Sequence, residues 1–383
     1  MENYHVDQLL KLAKRHHNTK RTYLLVNPLQ GKHMPVSPTA SLTMMRTLGC
    51  SLAKAAPDID LVIGFAETAT AVGAVVASAF SAQCRYIHTT REKAAATDQM
   101  IEFQEEHSHA TEQFLCTEQL GEWIRDAHAI AFVDDELSTG KTLLNMIEKI
   151  RTQFPEINGK EIWAVSIVNR LTDERIDLLA SHGIRCYALL KLPMSDLTEQ
   201  VARYSISEAE KPIEASGRTS IALAPCTGDL RHGCAIGQYF TQCNRLIEEV
   251  YHNICDDIHG KRVSVIGTEE WMLPGLLLGA YIEKQGVAAS ACYHATTRSP
   301  IGICEDVEYP IKSGVMLHSF YEAERTTYLY NLQESDIVLI LTDSSDERAM
   351  TQAYADLCGA YRGLGCNHVI LIKEATHVQH LSF

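Results

Sequence analysis

The stretch AIAFVDDELSTGKTLLNMIEKI, residues 129–150, joins a short apolar run, two aspartates and a segment with helical periodicity. Residues 129–133 are typical of a buried strand. The later apolar residues recur at i, i+3, i+4 and i+7, which predicts a helix with one buried stripe. These residues are Leu143, Met146, Ile147 and Ile150. Ser138 and Thr139 are predicted to cap the helix, and Gly140 permits the turn before it.

The loop that opens this helix offers N–H donors and a positive dipole end to an anion. Its ending, Gly-Lys-Thr at 140–142, suggests a nucleotide P-loop, but that motif needs glycine where the chain has Asp135. A carboxylate there would repel phosphates, so the P-loop interpretation fails. Instead, Asp134 and Asp135 could accept hydrogen bonds from a sugar diol, because ionised carboxylates only accept. With residues 138–142 on its phosphate, the site would bind a ribose 5-phosphate.

The segment VDDELSTGKT, residues 133–142, resembles the phosphoribosyl pyrophosphate (PRPP) motif of the type I phosphoribosyltransferases. The alternative is an acidic strand end before a capped helix, and the order of residue types favours the PRPP motif. The resemblance implies that Asp134 and Asp135 are catalytic. It also implies a set of residues that bind the ribose 5-phosphate: Asp134, Asp135, Glu136, Ser138, Thr139, Gly140, Lys141 and Thr142.

The same resemblance requires an earlier loop for the pyrophosphate of PRPP. Residues 60–80, DLVIGFAETATAVGAVVASAF, predict a strand end, a loop of small residues and a helix from Val72. Small side chains let the backbone approach an oxygen-rich ligand. In the resembling enzymes a mobile loop then brings cations to the site, which implies a catalytic role for Arg91; a solvated charged loop is the alternative. The expected pyrophosphate ligands are Ala66, Glu67, Thr68, Ala69, Thr70, Arg91 and Lys32.

Residues 101–113, IEFQEEHSHATEQ, are acidic and rich in histidine. His107 and His109 alternate, so they would share one side of an extended segment. A metal site, a base-binding site and a helix-capping turn all remain open for this segment. We expect an acceptor or loop site formed by Glu105, Glu106, His107 and His109.

The composition is that of a globular protein without a membrane span. The chain has 383 residues, of which 46% are hydrophobic and 21% charged, and two or three domains are expected. No apolar run suits a bilayer and the N-terminus resembles no secretory signal, so a cytoplasmic location is expected. The net charge of −14 disfavours nucleic-acid binding. Twelve cysteines without a CxxC pair predict reduced thiols rather than disulfides or a zinc site.

The second half of the chain repeats the order of the first. VIGFAETA at 62 is matched by VIGTEEWM at 265, YIHTTRE at 86 by YHATTRS at 293, and AFVDDELSTG at 131 by LILTDSSDER at 339. We therefore predict an α/β protein with two doubly wound, Rossmann-like domains of the type I phosphoribosyltransferase kind, the second a degenerate copy of the first. The expected boundaries are 1–205 for the first domain, 206–218 for a linker and 219–383 for the second domain.

The copy replaces the phosphate loop with Asp346, Glu347 and Arg348, so it is not expected to bind PRPP. A different ligand, or closure over the first site, remains open for it. The candidate second-domain site consists of Glu269, Glu270, Thr296, Thr297, Arg298 and Ser299.

The string TTRSP at 296–300 carries a second resemblance, to proteins in which a TRSP domain follows a phosphoribosyltransferase domain. Those proteins accompany bacterial tellurium-resistance and stress gene clusters. The resemblance implies transfer from PRPP to an unidentified base-like acceptor in a nucleotide-like metabolite pathway. Mg²⁺ would be carried by PRPP and not by direct protein ligation. A PRPP-binding regulator without transferase chemistry is the alternative, and a homo-oligomer remains open.

Overall fold

The computed structural model describes residues 4–16, 22–92, 99–104, 112–192, 195–213, 215, 220–224 and 227–374. The chain forms two compact units. Unit 1 comprises residues 1–5, 43–196 and 228–241, and unit 2 comprises residues 6–42, 197–227 and 242–383. This division differs from the expected boundaries, because an N-terminal segment belongs to unit 2 and a later segment returns to unit 1.

The described residues form ten α-helices and one 3₁₀ helix, Pro155–Gly159. The α-helices are α1 (Val6–Leu9), α2 (Pro38–Ala55), α3 (Thr70–Ala77), α4 (Leu120–Asp126), α5 (Lys141–Gln153), α6 (Asp173–Ser181), α7 (Thr198–Ala202), α8 (Ile236–Ile254), α9 (Leu273–Gln285) and α10 (Glu347–Gly363). None of these described helices is long and apolar enough to cross a membrane.

The strands of the described residues are β1 (Lys11–Lys14), β2 (Tyr23–Val26), β3 (Ile59–Gly64), β4 (Arg85–His88), β5 (Met100–Gln104), β6 (Glu112–Cys116), β7 (Ala129–Leu137), β8 (Glu161–Asn169), β9 (Ile184–Lys191), β10 (Ser220–Ala224), β11 (Cys234–Ala235), β12 (Arg262–Gly267), β13 (Ser290–Ala295), β14 (Gly314–His318), β15 (Thr326–Tyr330), β16 (Ile337–Thr342) and β17 (Val369–Glu374).

Unit 1 contains a six-stranded sheet in the order β11-β4-β3-β7-β8-β9. All neighbours are parallel except the edge strand β11, which is antiparallel to β4. Residues 129–133 of β7 are fully buried, as expected for a strand covered on both faces. The predicted stripe of α5 is also confirmed, since Leu143, Met146, Ile147 and Ile150 are its buried residues.

Unit 2 contains a parallel five-stranded sheet in the order β10-β17-β16-β12-β13. Its core includes Val338, Ile340 and Leu357. Four adjacent strands have the same chain order in both units: β4-β3-β7-β8 in unit 1 and β13-β12-β16-β17 in unit 2. An antiparallel pair, β5–β6 or β14–β15, precedes the third strand in chain order. The α/β class is thus established for both units.

The expected linker is hydrogen bonded within unit 2 where the structure describes it. Ser207 and Ile303 exchange two backbone hydrogen bonds of 2.9 Å. The Met316 N–H donates to the Glu210 carbonyl over 2.8 Å, and Ala209 is buried. Backbone pairing and the apolar contacts of Ile206 and Ala209 therefore hold the described part of this segment, which its low apolar periodicity had predicted to be a linker.

Tyr86 connects the sheet of unit 1 to the start of α3. Its buried hydroxyl donates to the Thr70 carbonyl over 2.6 Å, and burial raises the pKa of Tyr86 well above its usual value. A Cβ at Gly73 would lie 2.7 Å from that hydroxyl, so only glycine fits beside it. Tyr86 therefore anchors the first turn of α3 against β4.

Tyr86→Phe should lower the free energy of unfolding by about 1–3 kcal/mol, because the buried Thr70 carbonyl loses its donor. Tyr187→Phe on the partly exposed strand β9 is the matched control and should change stability by less than about 0.5 kcal/mol. Urea unfolding of the full chain measures both. Equal stability of Tyr86→Phe and wild type would contradict the anchoring role.

Candidate functional site

The crevice of unit 1 begins where β7 continues past the end of β3. Their last paired residues are Gly64 and Val133, whereas β7 remains paired with β8 to Leu137. Asp134 and Asp135 follow directly and are partly buried. In open parallel sheets, ligands bind beyond the carboxyl ends of strands, where neighbouring connections diverge.

The loop between β3 and α3 reaches the same crevice. The Thr68 hydroxyl donates to Asp135 Oδ1 over 3.1 Å, so the two loops expected to bind PRPP contact each other. Ala66, Glu67, Ala69 and Thr70 are buried beside Thr68. The peptide bond between Ala66 and Glu67 is cis.

Thr89 fixes the backbone of this loop. Its hydroxyl accepts a hydrogen bond from the Ala66 N–H over 2.8 Å and donates to Gln113 Oε1 over 2.6 Å. Gln113, on β6, is fully buried. No local motif marks Gln113 as a site residue, because the long-range pairing of Thr90 with Phe114 brings β6 to this loop.

The loop expected to bind the 5-phosphate lacks the side-chain helix cap that the sequence predicted. Gly140 is the N-cap residue of α5, with φ of 70°, and no side chain caps it. Thr139 Oγ1 accepts only a long hydrogen bond, 3.4 Å, from the Lys141 N–H, and Ser138 is partly buried. The left-handed conformation explains the glycine. The first turn of α5, with Thr142, therefore directs N–H groups and the positive dipole end to the loop.

The acidic pair is electrostatically costly. Burial raises the pKa of Asp135, and the neighbouring charge of Glu136 raises it further. Hydrogen bonding with Asp134, with the Thr68 hydroxyl and with its own backbone opposes the rise. The Asp135 N–H donates to Asp134 Oδ1 over 2.9 Å. Such a perturbed carboxyl in a crevice is typical of functional sites.

Glu136 has a structural partner. Its Oε1 lies 3.2 Å from Arg170 Nη1, and the Arg170 side chain is 2% exposed. Arg170 also donates to the Ser195 carbonyl over 3.0 Å. Since side chains alternate along a strand, Glu136 points to the face opposite Asp135. We therefore assign Glu136 to the ion pair and no longer to the ribose phosphate; the sequence analysis missed Arg170.

The other residues expected at the site of unit 1 are Arg91 and the acidic and histidine residues of the 101–113 segment. Arg91 is partly buried two residues after Thr89, on the connection that pairs with β6. Glu105, Glu106, His107 and His109 lie outside the described residues.

Lys32 belongs to unit 2. It is fully buried, and its ammonium group donates to the carbonyls of Glu269 and Thr296 over 3.2 and 2.8 Å. We therefore remove Lys32 from the pyrophosphate set, because its donors serve the backbone of unit 2.

The candidate residues of unit 2 form one buried network. The Glu269 carboxylate accepts from Arg298 Nε over 2.8 Å and lies 3.1 Å from Arg325 Nη2. The Glu269 N–H donates to Thr296 Oγ1 over 3.0 Å, and Glu270 is buried beside it. Two arginines thus neutralise the fully buried Glu269.

Thr297 and Ser299 extend this network along the chain. The Ser299 N–H donates to Thr297 Oγ1 over 3.2 Å, and the Ser299 carbonyl accepts from the Tyr330 hydroxyl over 2.8 Å. The turn after β13 is thereby held in place.

The crevice thus combines a carboxylate pair on one parallel strand with the N-terminus of a helix that no side chain caps. Two family models match the chain: "Phosphoribosyl transferase" over residues 9–191, and "TRSP domain C terminus to PRTase_2" over residues 228–357. The chain therefore belongs to the phosphoribosyl transferase family whose members carry a C-terminal TRSP domain.

Several solved structures align with about half of this chain. The adenine phosphoribosyltransferase of Giardia lamblia complexed with 9-deazaadenine is 16% identical, with a TM-score of 0.36, over 51% of this chain and 99% of that one. The Trypanosoma brucei adenine enzyme is 13% identical, with a TM-score of 0.35, over 48% and 77%. The orotate phosphoribosyltransferase of Mycobacterium tuberculosis H37Rv is 15% identical, with a TM-score of 0.30, over 49% and 91%. The comparison with curated proteins finds no match.

Asp135→Asn should raise the free energy of unfolding at neutral pH. The pKa of Asp135 is higher in the folded than in the unfolded protein, so the protonated carboxyl favours folding at low pH. This contribution to the free energy of unfolding is lost as pH rises through the folded-state pKa. The stability difference between Asp135→Asn and wild type should therefore disappear near the ordinary Asp pKa of about 3.9. Urea unfolding across this pH range measures it, with exposed Asp126→Asn as the control. A loss of stability at neutral pH would contradict the electrostatic cost.

Glu136→Gln should destabilise the protein by about 1–3 kcal/mol, because Arg170 keeps a weaker acceptor for its buried charge. Glu148→Gln removes a surface partner of Arg151 and should cost less than about 0.5 kcal/mol. Thermal and urea unfolding compare the two variants. A smaller effect at Glu136 than at Glu148 would refute its structural role.

Proposed function

We propose that unit 1 transfers a ribosyl 5-phosphate group from PRPP to an unidentified base-like acceptor and releases pyrophosphate. The observation that carries the proposal is the 3.1 Å contact between Thr68 and Asp135. It joins the loop after β3 to the acidic end of β7, so one ligand carrying a diol and a pyrophosphate can contact both.

In this proposal each part of PRPP meets complementary groups. Asp134 and Asp135 accept hydrogen bonds from the ribose hydroxyls, and the 138–142 loop donates N–H groups to the 5-phosphate. The backbone of the 66–70 loop and Arg91 stabilise the departing pyrophosphate. The bond from ribose C1 to the pyrophosphate oxygen breaks with its electron pair on that oxygen. The acceptor's lone pair then forms the new bond to C1, and the proton that the acceptor loses goes to solvent.

Mg²⁺ fits this donor set as a cation brought by the substrate. Asp134 and Asp135 are partly buried acids, and burial raises the pKa of Asp135, so a nearby cation would favour its ionised form. Mg²⁺ commonly keeps waters and substrate phosphate oxygens as ligands, which suits a site with few protein ligands. When bound, it supplies charge neutralisation of the pyrophosphate.

We also propose that unit 2 is a degenerate copy of unit 1. The shared order of four strands supports this, as does the position of Glu269 after β12. The segment matching the phosphate loop serves the fold instead. Asp346 accepts from the Ala349 N–H as the cap of α10, and Arg348 pairs with Glu324 over 3.1 Å. Groups engaged in this way are poor ligands for a 5-phosphate.

The first test is calorimetric titration of the full chain with PRPP and Mg²⁺. Wild type should bind, and Asp134→Asn/Asp135→Asn should lose roughly 100-fold or more in affinity, because hydrogen bonds to charged groups contribute about 1.5–3 kcal/mol each. Asp126→Asn/Asp177→Asn makes the same charge change at exposed positions and should bind as wild type does.

Absence of PRPP binding by folded wild type, or equal losses in both double variants, would reject the proposed site.

A pyrophosphate-release assay with candidate bases then distinguishes a transferase from a PRPP-binding regulator. Release that depends on an acceptor and fails in the acidic double variant supports the transferase. The regulator alternative expects binding without release for every base.

A further inference from the structure

Three chemically distinct side chains of unit 1 converge outside the proposed PRPP site. They are Cys116 at the end of β6, Glu118 before α4, and His232 in the turn before β11. One ligand atom of each lies within 4.8 Å of the others. Cys116 is buried, whereas His232 and Glu118 are accessible.

The separation of sulfur and nitrogen fits a shared metal ion. Cys116 Sγ lies 3.5 Å from His232 Nδ1. Zinc bonds of about 2.3 Å to sulfur and about 2.0–2.1 Å to nitrogen, at a tetrahedral angle, place those two atoms about 3.5–3.6 Å apart. A thiol–imidazole hydrogen bond would explain the pair alone. The nearby carboxylate of Glu118 adds a third donor.

The segment that carries Cys116 and Glu118 is held by backbone hydrogen bonds. Cys116 pairs with Met100 in the β5–β6 ladder, and the Thr117 N–H and hydroxyl donate to the Gln99 carbonyl over 2.8 and 3.0 Å. Two ligands separated by one residue are thereby placed at a fixed turn before α4.

His232 is positioned by a separate turn. The N–H groups of His232 and Gly233 donate to the Asp229 carbonyl over 3.1 and 3.0 Å. Gly233 has φ of 78°, and a Cβ there would lie 2.6 Å from the Trp123 ring, so the turn fits only glycine. The next residues pair with β4 as β11.

A carboxylate also stands behind the imidazole. Asp229 Oδ2 lies 4.0 Å from His232 Nε2, on the ring nitrogen that does not face Cys116. Metal-binding histidines usually pair their second nitrogen with such a group.

We propose that Cys116, Glu118 and His232 bind a divalent transition metal ion of the zinc type. Thiolate, imidazole and carboxylate are the ligands that zinc takes in proteins, and a set of three leaves a fourth position for water or a substrate atom. The proposal departs from the expectation that the cysteines form no zinc site. Sequence spacing could not pair Cys116 with His232, because they are 116 residues apart. The site does not depend on PRPP binding.

The proposed metal site lies on the same strand, β6, that pairs with the segment after β4. Cys116 lies two residues beyond Phe114, which exchanges two 2.8 Å backbone hydrogen bonds with Thr90. Thr90 follows Thr89, the residue that fixes the loop at Ala66. A ligand held by the metal would thus lie on the strand that supports the proposed pyrophosphate loop.

The test is metal titration of chelator-stripped, full-length protein with Co²⁺ and then Zn²⁺. Wild type should bind one Co²⁺ per chain, with a near-ultraviolet thiolate-to-cobalt band and intense visible bands of tetrahedral Co²⁺. Zn²⁺ should displace it. Glu118→Gln, at an accessible position, should lower affinity at least about 10-fold, since even groups behind the ligands change it by roughly 10–100-fold.

Cys116→Ser should abolish the thiolate band, and His232→Gln should weaken binding like Glu118→Gln. Cys234→Ser is the control thiol, because Cys234 is not one of the three converging side chains. His128→Gln, with its side chain 81% exposed, is the control histidine. Absence of one-to-one binding by wild type, a thiolate band in Cys116→Ser, or equal losses in the controls would overturn the proposal. PRPP calorimetry on Glu118→Gln monitors the other site separately.

Discussion

The end of pairing between β3 and β7 is the constraint on which unit 1 depends. After Gly64 and Val133 the two strands separate, although the Phe65 N–H still donates to the Val133 carbonyl over 2.9 Å. Strand β3 leads into the loop that carries Thr68, and β7 continues to Asp135. The hydrogen bond between Thr68 and Asp135 holds these two segments together across the crevice. A parallel sheet creates such an edge, because both strands must end on the same side.

This edge carries acids in surroundings that oppose their ionisation. Burial raises the pKa of Asp135, and Glu136 adds a second negative charge one residue away. Arg170 offsets part of this charge from the opposite face of β7, and Thr68 donates to Asp135 directly. Sites that bind charged ligands commonly retain such unfavourable groups, because removing them would stabilise the fold at the expense of function.

The corresponding edge of the sheet in unit 2 uses charge differently. Glu269 is fully buried, yet Arg298 and Arg325 surround its carboxylate. Asp346 caps α10 in the way that Ser and Thr side chains often cap helices. The charge of Glu269 is therefore balanced by two arginines, whereas Asp135 of unit 1 lies at a crevice and accepts from the neutral Thr68 hydroxyl. The same strand order can support either arrangement, since topology sets positions and side chains set the chemistry.

The sequence by itself determined the local elements and the PRPP motif. The apolar run of β7, the buried stripe of α5 and the glycine before it are all set by residues within a few positions of one another. The tertiary structure decided which distant groups meet: Gln113 with Thr89, Arg170 with Glu136, Lys32 with the backbone of unit 2, and Cys116 with His232. Periodicity records which face of an element is buried, but not which element covers it. Contacts between residues far apart depend on the path of the backbone, and on which strand edges that path brings together.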